Sequence, residues 1–286
     1  MLIRLGYDIE FNIPQPVAFV ALLNVHSSRA QDLREPDQLQ IEPAVRTEWY
    51  FDRFGNLCTR FLAPQGKLRI WNSTLIQDSG ERDQVNVQAR QHAVEDLPAD
   101  HLTYLMNSRY CEVDRMSNIA TELFANTSPG WGRVQAIVNW VHDRVQFGYQ
   151  YARATRTALD VYTERVGVCR DFQHLAITFC RCMHIPARYA TGYLGDIGVP
   201  ASPAPMDFSA WFEVFLEGRW WTFDARHNAP RVGRILMATG RDAADVAITT
   251  SFGMAELTKF TVVTEEVREI APYQNSLSNI AVSGRP

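Results

Sequence analysis

Several features that would place a protein quickly are absent from this sequence. Its 286 residues include only five cysteines, Cys58, Cys111, Cys169, Cys180 and Cys182. An odd number scattered along a large chain argues against a disulfide framework and leaves free thiols. The formal charge of −4 comes without any concentrated run of Lys or Arg, so neither nucleic acid nor an anionic membrane surface is expected as a partner. No window of about 18 residues is uninterruptedly apolar, and residues 1–8 lack the apolar stretch of a secretory signal; the expected location is the cytoplasm. Metal-ligand spacings are missing too. Cys180 and Cys182 would diverge on a helix, no second Cys or His pair has structural-zinc spacing, and no calcium loop of the EF-hand type occurs. No metal and no cofactor is expected.

What is present is enough apolar content, 46%, to bury one large core or two smaller ones, and two domains are expected. Residues 1–95 read as an antiparallel β-domain, a sandwich, with short and often alternating segments at 4–11, 17–25, 47–54, 57–61, 68–76 and 84–89. Asp52, Arg53, Phe54, Gly55 and Asn56 make a hairpin turn between two of them. The acids Asp32, Glu35 and Asp37 read as solvated loop charge.

Near residue 96 the pattern becomes helical, opening a second domain over 96–286. Ser128-Pro129 starts a helix whose stripe is Trp131, Val134, Ile137, Val138, Val141 and Val145. Its His142 reads as a surface or boundary side chain. Another helix begins at Cys169, with Phe172, Leu175, Ala176, Phe179, Cys180 and Met183 along one face. A strand follows over 187–194. The loop 195–207, with Pro200, Pro203 and Pro205, is placed to rim a site. Strands 208–216 and 219–224 form a hairpin about Glu217-Gly218, and a last strand at 257–263 precedes a polar tail.

Chemistry concentrates between Cys169 and His227. Cys169 faces inward at the positive end of a helix dipole, which favours thiolate over thiol, whereas Cys180 in mid-stripe is core. In a two-residue hairpin at Glu217-Gly218, Leu216 pairs with Arg219, Trp211 faces Asp224 and Ser209 faces Arg226, so position 209 lies diagonally beside Asp224. A nucleophilic cysteine needs a base, and the base needs an acid to orient it. Cys169 and Asp224 supply the two ends, but the Ser209 hydroxyl accepts no proton near neutral pH. His174 lies about 140 degrees around the helix from Cys169 and points away. His227 on an extended strand would face away from Asp224 and reaches it only if the chain bends at Ala225 or Arg226. Trp211 with Trp220 or Trp221 can wall a substrate cleft or act as sheet-core aromatics.

Four blocks in one order, Gly167-Val168-Cys169-Arg170-Asp171-Phe172, the 185–193 strand with Ile185-Pro186-Ala187-Arg188, Ala210-Trp211-Phe212-Glu213-Val214 and Trp220-Trp221-Thr222-Phe223-Asp224-Ala225, resemble the bacterial transglutaminase-like superfamily, whose members are also described as cysteine proteases. The likeness is strong over about 97–265 and extends to the β-domain that often precedes this core. It implies an α+β protein: an N-terminal antiparallel β-sandwich followed by a papain-like, transglutaminase-like core with a helix packed on an antiparallel sheet. Related enzymes use a Cys-His-Asp triad that forms a thioester from an amide. By that resemblance Cys169 matches the nucleophile, Asp224 the acid, and Ser209 occupies the family's histidine position. Two functions are open: a cysteine-dependent amidase, peptidase or acyltransferase acting on peptide or protein substrates, or a catalytically impaired homologue that binds a peptide or protein. A third, Cys169 as mere packing, leaves Asp224 unexplained.

Overall fold

Alternation in the first strand sets the architecture: β1 (Leu2–Ile13) buries Ile3, Leu5, Tyr7, Ile9, Phe11 and Ile13, the period-two pattern of a strand with one face in a core. The computed structural model describes residues 1–203 and 205–267. After β1 come β2 (Val17–Ala21), β3 (Gln40–Glu42), β4 (Thr47–Phe51), β5 (Leu57–Ala63) and β6 (Gly66–Gln77). The helices α1 (Val113–Phe124) and α2 (Trp131–Arg144) follow, then the short strand β7 (Gln146–Phe147), α3 (Ala158–Glu164), β8 (Val166–Gly167) and α4 (Cys169–Cys182). The chain closes with β9 (Ala187–Leu194), β10 (Ser209–Leu216), β11 (Arg219–Phe223), β12 (Arg234–Gly240), β13 (Thr249–Ser251) and β14 (Glu256–Val267).

Two four-stranded antiparallel sheets, β14-β1-β6-β3 and β13-β2-β5-β4, share one apolar core that includes Leu5, Ile9, Phe19 and Phe61. This is the expected sandwich, and the 52–56 turn is present, closed by Asp52 N–H to Asn56 O at 3.0 Å. Its sheets are completed from the far end of the sequence. β14 pairs along β1 from Leu2↔Val267 to Asn12↔Glu256, so a division at 95/96 has to be set beside an exchange of strands. The polar tail expected after the last strand lies, from residue 268, outside the described residues.

The third sheet, β11-β10-β9-β12, carries α4 on one face, and Tyr193, Ile235 and Met237 join the sandwich core. This is the expected α+β arrangement. α4 departs from its one-stripe reading: every residue from Asp171 to Cys182 is buried, because α1, α2 and α3 surround the side the sheet leaves open. Its buried Arg181 is satisfied by backbone carbonyls, donating from Nε to Ala187 O at 3.1 Å and from Nη1 to Met106 O at 3.0 Å.

Three local readings need correction. Residues 84–89 form no strand; Asn86 turns the chain through Ala89 N–H to Asn86 O at 2.9 Å, and Val85 and Val87 stay exposed. α2 begins after Gly130, at φ 77°, a conformation that suits glycine, and not at Pro129. Asp37 is no solvated charge: its carboxylate accepts the Val25 N–H at 2.7 Å and the Asn72 side-chain amide, and burial raises its pKa.

β9 and β12 approach too closely at Gly192 for any side chain, since a Cβ there would be driven into Ile235 O and against the Trp211 ring. Gly192→Ala is expected to cost about 1–3 kcal/mol, read as a lower midpoint in urea unfolding.

Candidate active site

Asp171 fixes where α4 begins. Its buried carboxylate accepts the Val168 N–H at 2.9 Å while its own N–H donates to Val168 O at 2.9 Å, a reciprocal cap of the helix start. Arg156 at 3.5 Å and Arg170 at 3.6 Å supply the compensating charge. Cys169 is thereby held at the first helical position, partly buried against the helical core. It lines a cavity of about 160 Å³ together with Ser209, Arg226 and His227.

The hairpin register is the one read from the sequence, with Leu216 opposite Arg219 and Phe212 opposite Phe223. Beyond Phe223 the chain turns sharply: Asn228 N–H donates to Asp224 O at 2.8 Å. Asp224 shapes this turn itself, since Oδ1 accepts the N–H groups of Arg226 at 2.9 Å and His227 at 3.1 Å. This bend at 225–226 folds His227 back until Nδ1 lies 2.8 Å from Asp224 Oδ2. With Nδ1–H donating to the carboxylate, Nε2 is left as the ring's acceptor. His142, exposed as expected, pins the turn to α2 through Nδ1 and Arg226 O at 2.9 Å.

Burial alone would raise the pKa of Asp224. The His227 hydrogen bond and the charges of Arg234 and His227 override that and hold the carboxyl well below the usual carboxylate range. Arg234 Nη2 sits 3.0 Å from Oδ2, and Gln173 Nε2 lies 3.1 Å from Oδ1. Gln173 also donates to Ala210 O at 3.1 Å and accepts the Ala225 N–H at 3.1 Å, tying α4, β10 and the turn together. Neither residue was singled out from the sequence. Gln173 carried a signal, being a polar residue one turn beyond Cys169 on the same helix face; Arg234 lies on β12, a strand the sequence reading did not find.

The sulfur environment differs from expectation. Burial pushes the Cys169 thiol up to about 11; Arg226 and the Arg170 N–H oppose this, and Asp207 and Asp224 add to it. Desolvation outweighs the groups that favour ionisation, so the resting side chain is a thiol at neutral pH. His174 points elsewhere, as expected: fully buried, it accepts the Ala243 N–H on Nε2 at 3.1 Å, and burial lowers its pKa to about 3.

None of the three tryptophans borders the cavity at Cys169. Trp211 is 2% exposed and packs under the Arg234 guanidinium. Trp221 is also buried, its indole N–H donating to Leu216 O at 3.0 Å. Trp220 stacks on His101, and with Trp221 it borders a separate cavity beside Arg219 and Asp83. The large aromatic area of these rings is consumed in sheet packing. Among the described residues no group of three or more His, Cys, Asp or Glu is placed to hold a metal, and no helix is long and apolar enough to cross a membrane.

Residues 117–225 match the family model described as the transglutaminase-like superfamily. A candidate cysteine protease from Cytophaga hutchinsonii, known from its crystal structure, is 31% identical, with 93% of this chain and 90% of that chain covered and a TM-score of 0.77. The chain belongs to the transglutaminase-like superfamily. An uncharacterized protein of Mycobacterium leprae (strain TN) is 26% identical over 221 residues, 74% of this chain and 77% of that one. The matched stretch of this superfamily member contains Cys169, Ser209 and Asp224 and stops two residues short of His227.

Asp224→Asn is expected to cost about 1.5–3 kcal/mol at pH 7, because it removes one of the two carboxylates that hold the buried Arg234 and leaves Asp83 as the other. The Asp224 pKa is depressed on folding, so its contribution is fully present above the ordinary carboxylate value of about 4 and is lost progressively as pH falls from there through the much lower folded value. Urea unfolding of the two proteins should therefore differ by a constant amount above about pH 4, with the gap narrowing only in strong acid.

Proposed function

We propose that the protein is a cysteine-dependent amide hydrolase or acyltransferase in which Cys169 is the nucleophile, His227 the base and Asp224 the residue that orients the base. The observation that carries this reading is the 2.8 Å contact of His227 Nδ1 with Asp224 on a turn that puts the ring in the wall of the Cys169 cavity. The family's histidine position is filled by Ser209, and the imidazole function is taken over from the far side of the acid.

The chemistry follows from which atoms are free. His227 Nε2 accepts the Cys169 thiol proton as the sulfur attacks a carboxamide carbon, and the amine leaves with that proton, giving a thioester. Water, or a second amine, then releases the acyl group with His227 again moving the proton. Of the first-turn N–H groups of α4, that of Asp171 is taken by Val168 O, and those of Cys169 and Arg170 are the donors available to the oxyanion. Because the resting sulfur is protonated, proton transfer and attack are coupled to substrate arrival. Peptide or protein carboxamides are the substrate class, with hydrolysis the simpler outcome since water needs no second pocket. Five cysteines without a disulfide among the described residues suit a reducing compartment such as the cytoplasm.

A second reading, a peptide- or protein-binding homologue without turnover, is favoured by Ser209 and by the raised thiol pKa. The two readings separate on purified protein with glutamine-containing peptides. Catalysis predicts ammonia or amine release that falls at least 100-fold in both Cys169→Ala and His227→Ala and stays within about threefold in Ser209→Ala. Peptide capture that is unchanged in Cys169→Ala, with no release by the unaltered protein, would establish the binding reading.

A further inference from the structure

Two cationic or potentially cationic groups compete for one oxygen of the acid. Asp224 Oδ2 receives His227 Nδ1 at 2.8 Å and Arg234 Nη2 at 3.0 Å. Arg234 is itself held from behind: its Nε donates to Asp83 Oδ2 at 2.8 Å, and its side chain is 6% exposed. Asp83 stands on the segment after β6, and is fixed there by Arg231 N–H to its Oδ2 at 2.8 Å and by its own N–H to Arg231 O at 2.9 Å. The adjacent bridge between Arg82 and Val232 keeps this segment against the strand that carries Arg234. The charges thus run Asp83, Arg234, Asp224, His227 in an unbroken line, alternating in sign when the imidazole is protonated.

We propose that Arg234 is a positioning residue for the His227 base: by sharing Asp224 Oδ2 it sets how strongly the carboxylate holds the imidazole, and Asp83, from outside the catalytic core, sets how much of the Arg234 charge is felt. This rests on the reading of His227 as the base. A carboxylate bound to an imidazole alone favours the imidazolium, which cannot accept the thiol proton. A guanidinium on the same oxygen draws against that preference, and Asp83 partly neutralises the guanidinium. The other charged or titratable groups facing the imidazole are Cys169 on α4, Arg226 on its own turn, and Tyr149, Asp196, Asp207 and Arg231 around the shared cavity. None of these is bonded to Asp224 Oδ2 through a side chain, so Arg234 is the group whose removal acts through the acid.

The sign of each change is fixed. Arg234→Met removes positive charge near the imidazole, so the His227 titration midpoint, followed by the NMR signals of its ring, is expected to rise. The acid limb of kcat/KM should move up with it. Asp83→Asn leaves Arg234 less neutralised and should shift both midpoints down, while Arg234→Lys, which keeps the charge, should return them towards the starting value. A merely structural role would lower kcat without moving the midpoints in opposite directions. Unchanged midpoints in Asp83→Asn and Arg234→Met, or shifts of the same sign, overturn the proposal. If Arg234→Met does not fold, the direction of the Asp83→Asn shift decides. Because the NMR titration needs no turnover, opposite shifts in a protein without activity would uphold the charge relay while rejecting the catalytic reading of His227.

Discussion

The interaction on which the site depends is the solvation of one buried carboxylate by protein. Asp224 is almost wholly removed from water, yet it is held ionised by Gln173, two backbone N–H groups of its own turn, His227 and Arg234. A buried charge with fewer partners would protonate or unfold its surroundings. Meeting that demand brings the helix bearing Cys169, the edge of the β10–β11 hairpin and β12 to one point. The turn that presents His227 is a by-product of the same demand, because two of the five donors can reach Oδ1 only when the chain doubles back at 225–226.

Most of the fold was legible because period-two burial and one long amphipathic helix are strong local signals. β1, β6, α4 and the β10–β11 register all follow from such patterns, and the hairpin register about Glu217-Gly218 is enough to single out Ser209 and Asp224 from sequence. What stayed hidden depends on long-range pairing. β12 contains Arg234, yet its short, mixed run from Arg234 to Gly240 carries no clean alternation. β14 reads as a strand, but nothing local says that its partner is β1. The position of His227 was legible only as a condition, a bend at 225–226, since a side chain that caps its own turn cannot be inferred from strand geometry. The three tryptophans were open to two readings, cleft wall or sheet core, because aromatic residues near a motif serve both equally well in sequence; none of them lines the cavity at Cys169.

The surroundings of the sulfur and of the base pull in opposite directions. Burial raises the pKa of the Cys169 thiol, whereas the His227 ring stays partly exposed and the Asp224 carboxylate beside it is held charged. On the proposed catalytic reading, reactivity therefore lies in the proton acceptor rather than in the sulfur, unlike a preformed ion pair in which both partners are charged at rest.

The pairing of β1 with β14 has a consequence for how the protein is made. Residue 2 lies opposite residue 267, so the sandwich is closed by a strand made long after its partner. Joining the ends of so long a loop costs about 5 kcal/mol in chain entropy unless the intervening segment has already become compact. At translation speeds of about 5–20 residues per second, one edge of β1 waits on the order of ten seconds or more for its partner, displaying an unpaired strand edge throughout. On this topology, compaction of the helical core and its sheet before β14 pairs with β1 lowers the entropy cost of closing the sandwich.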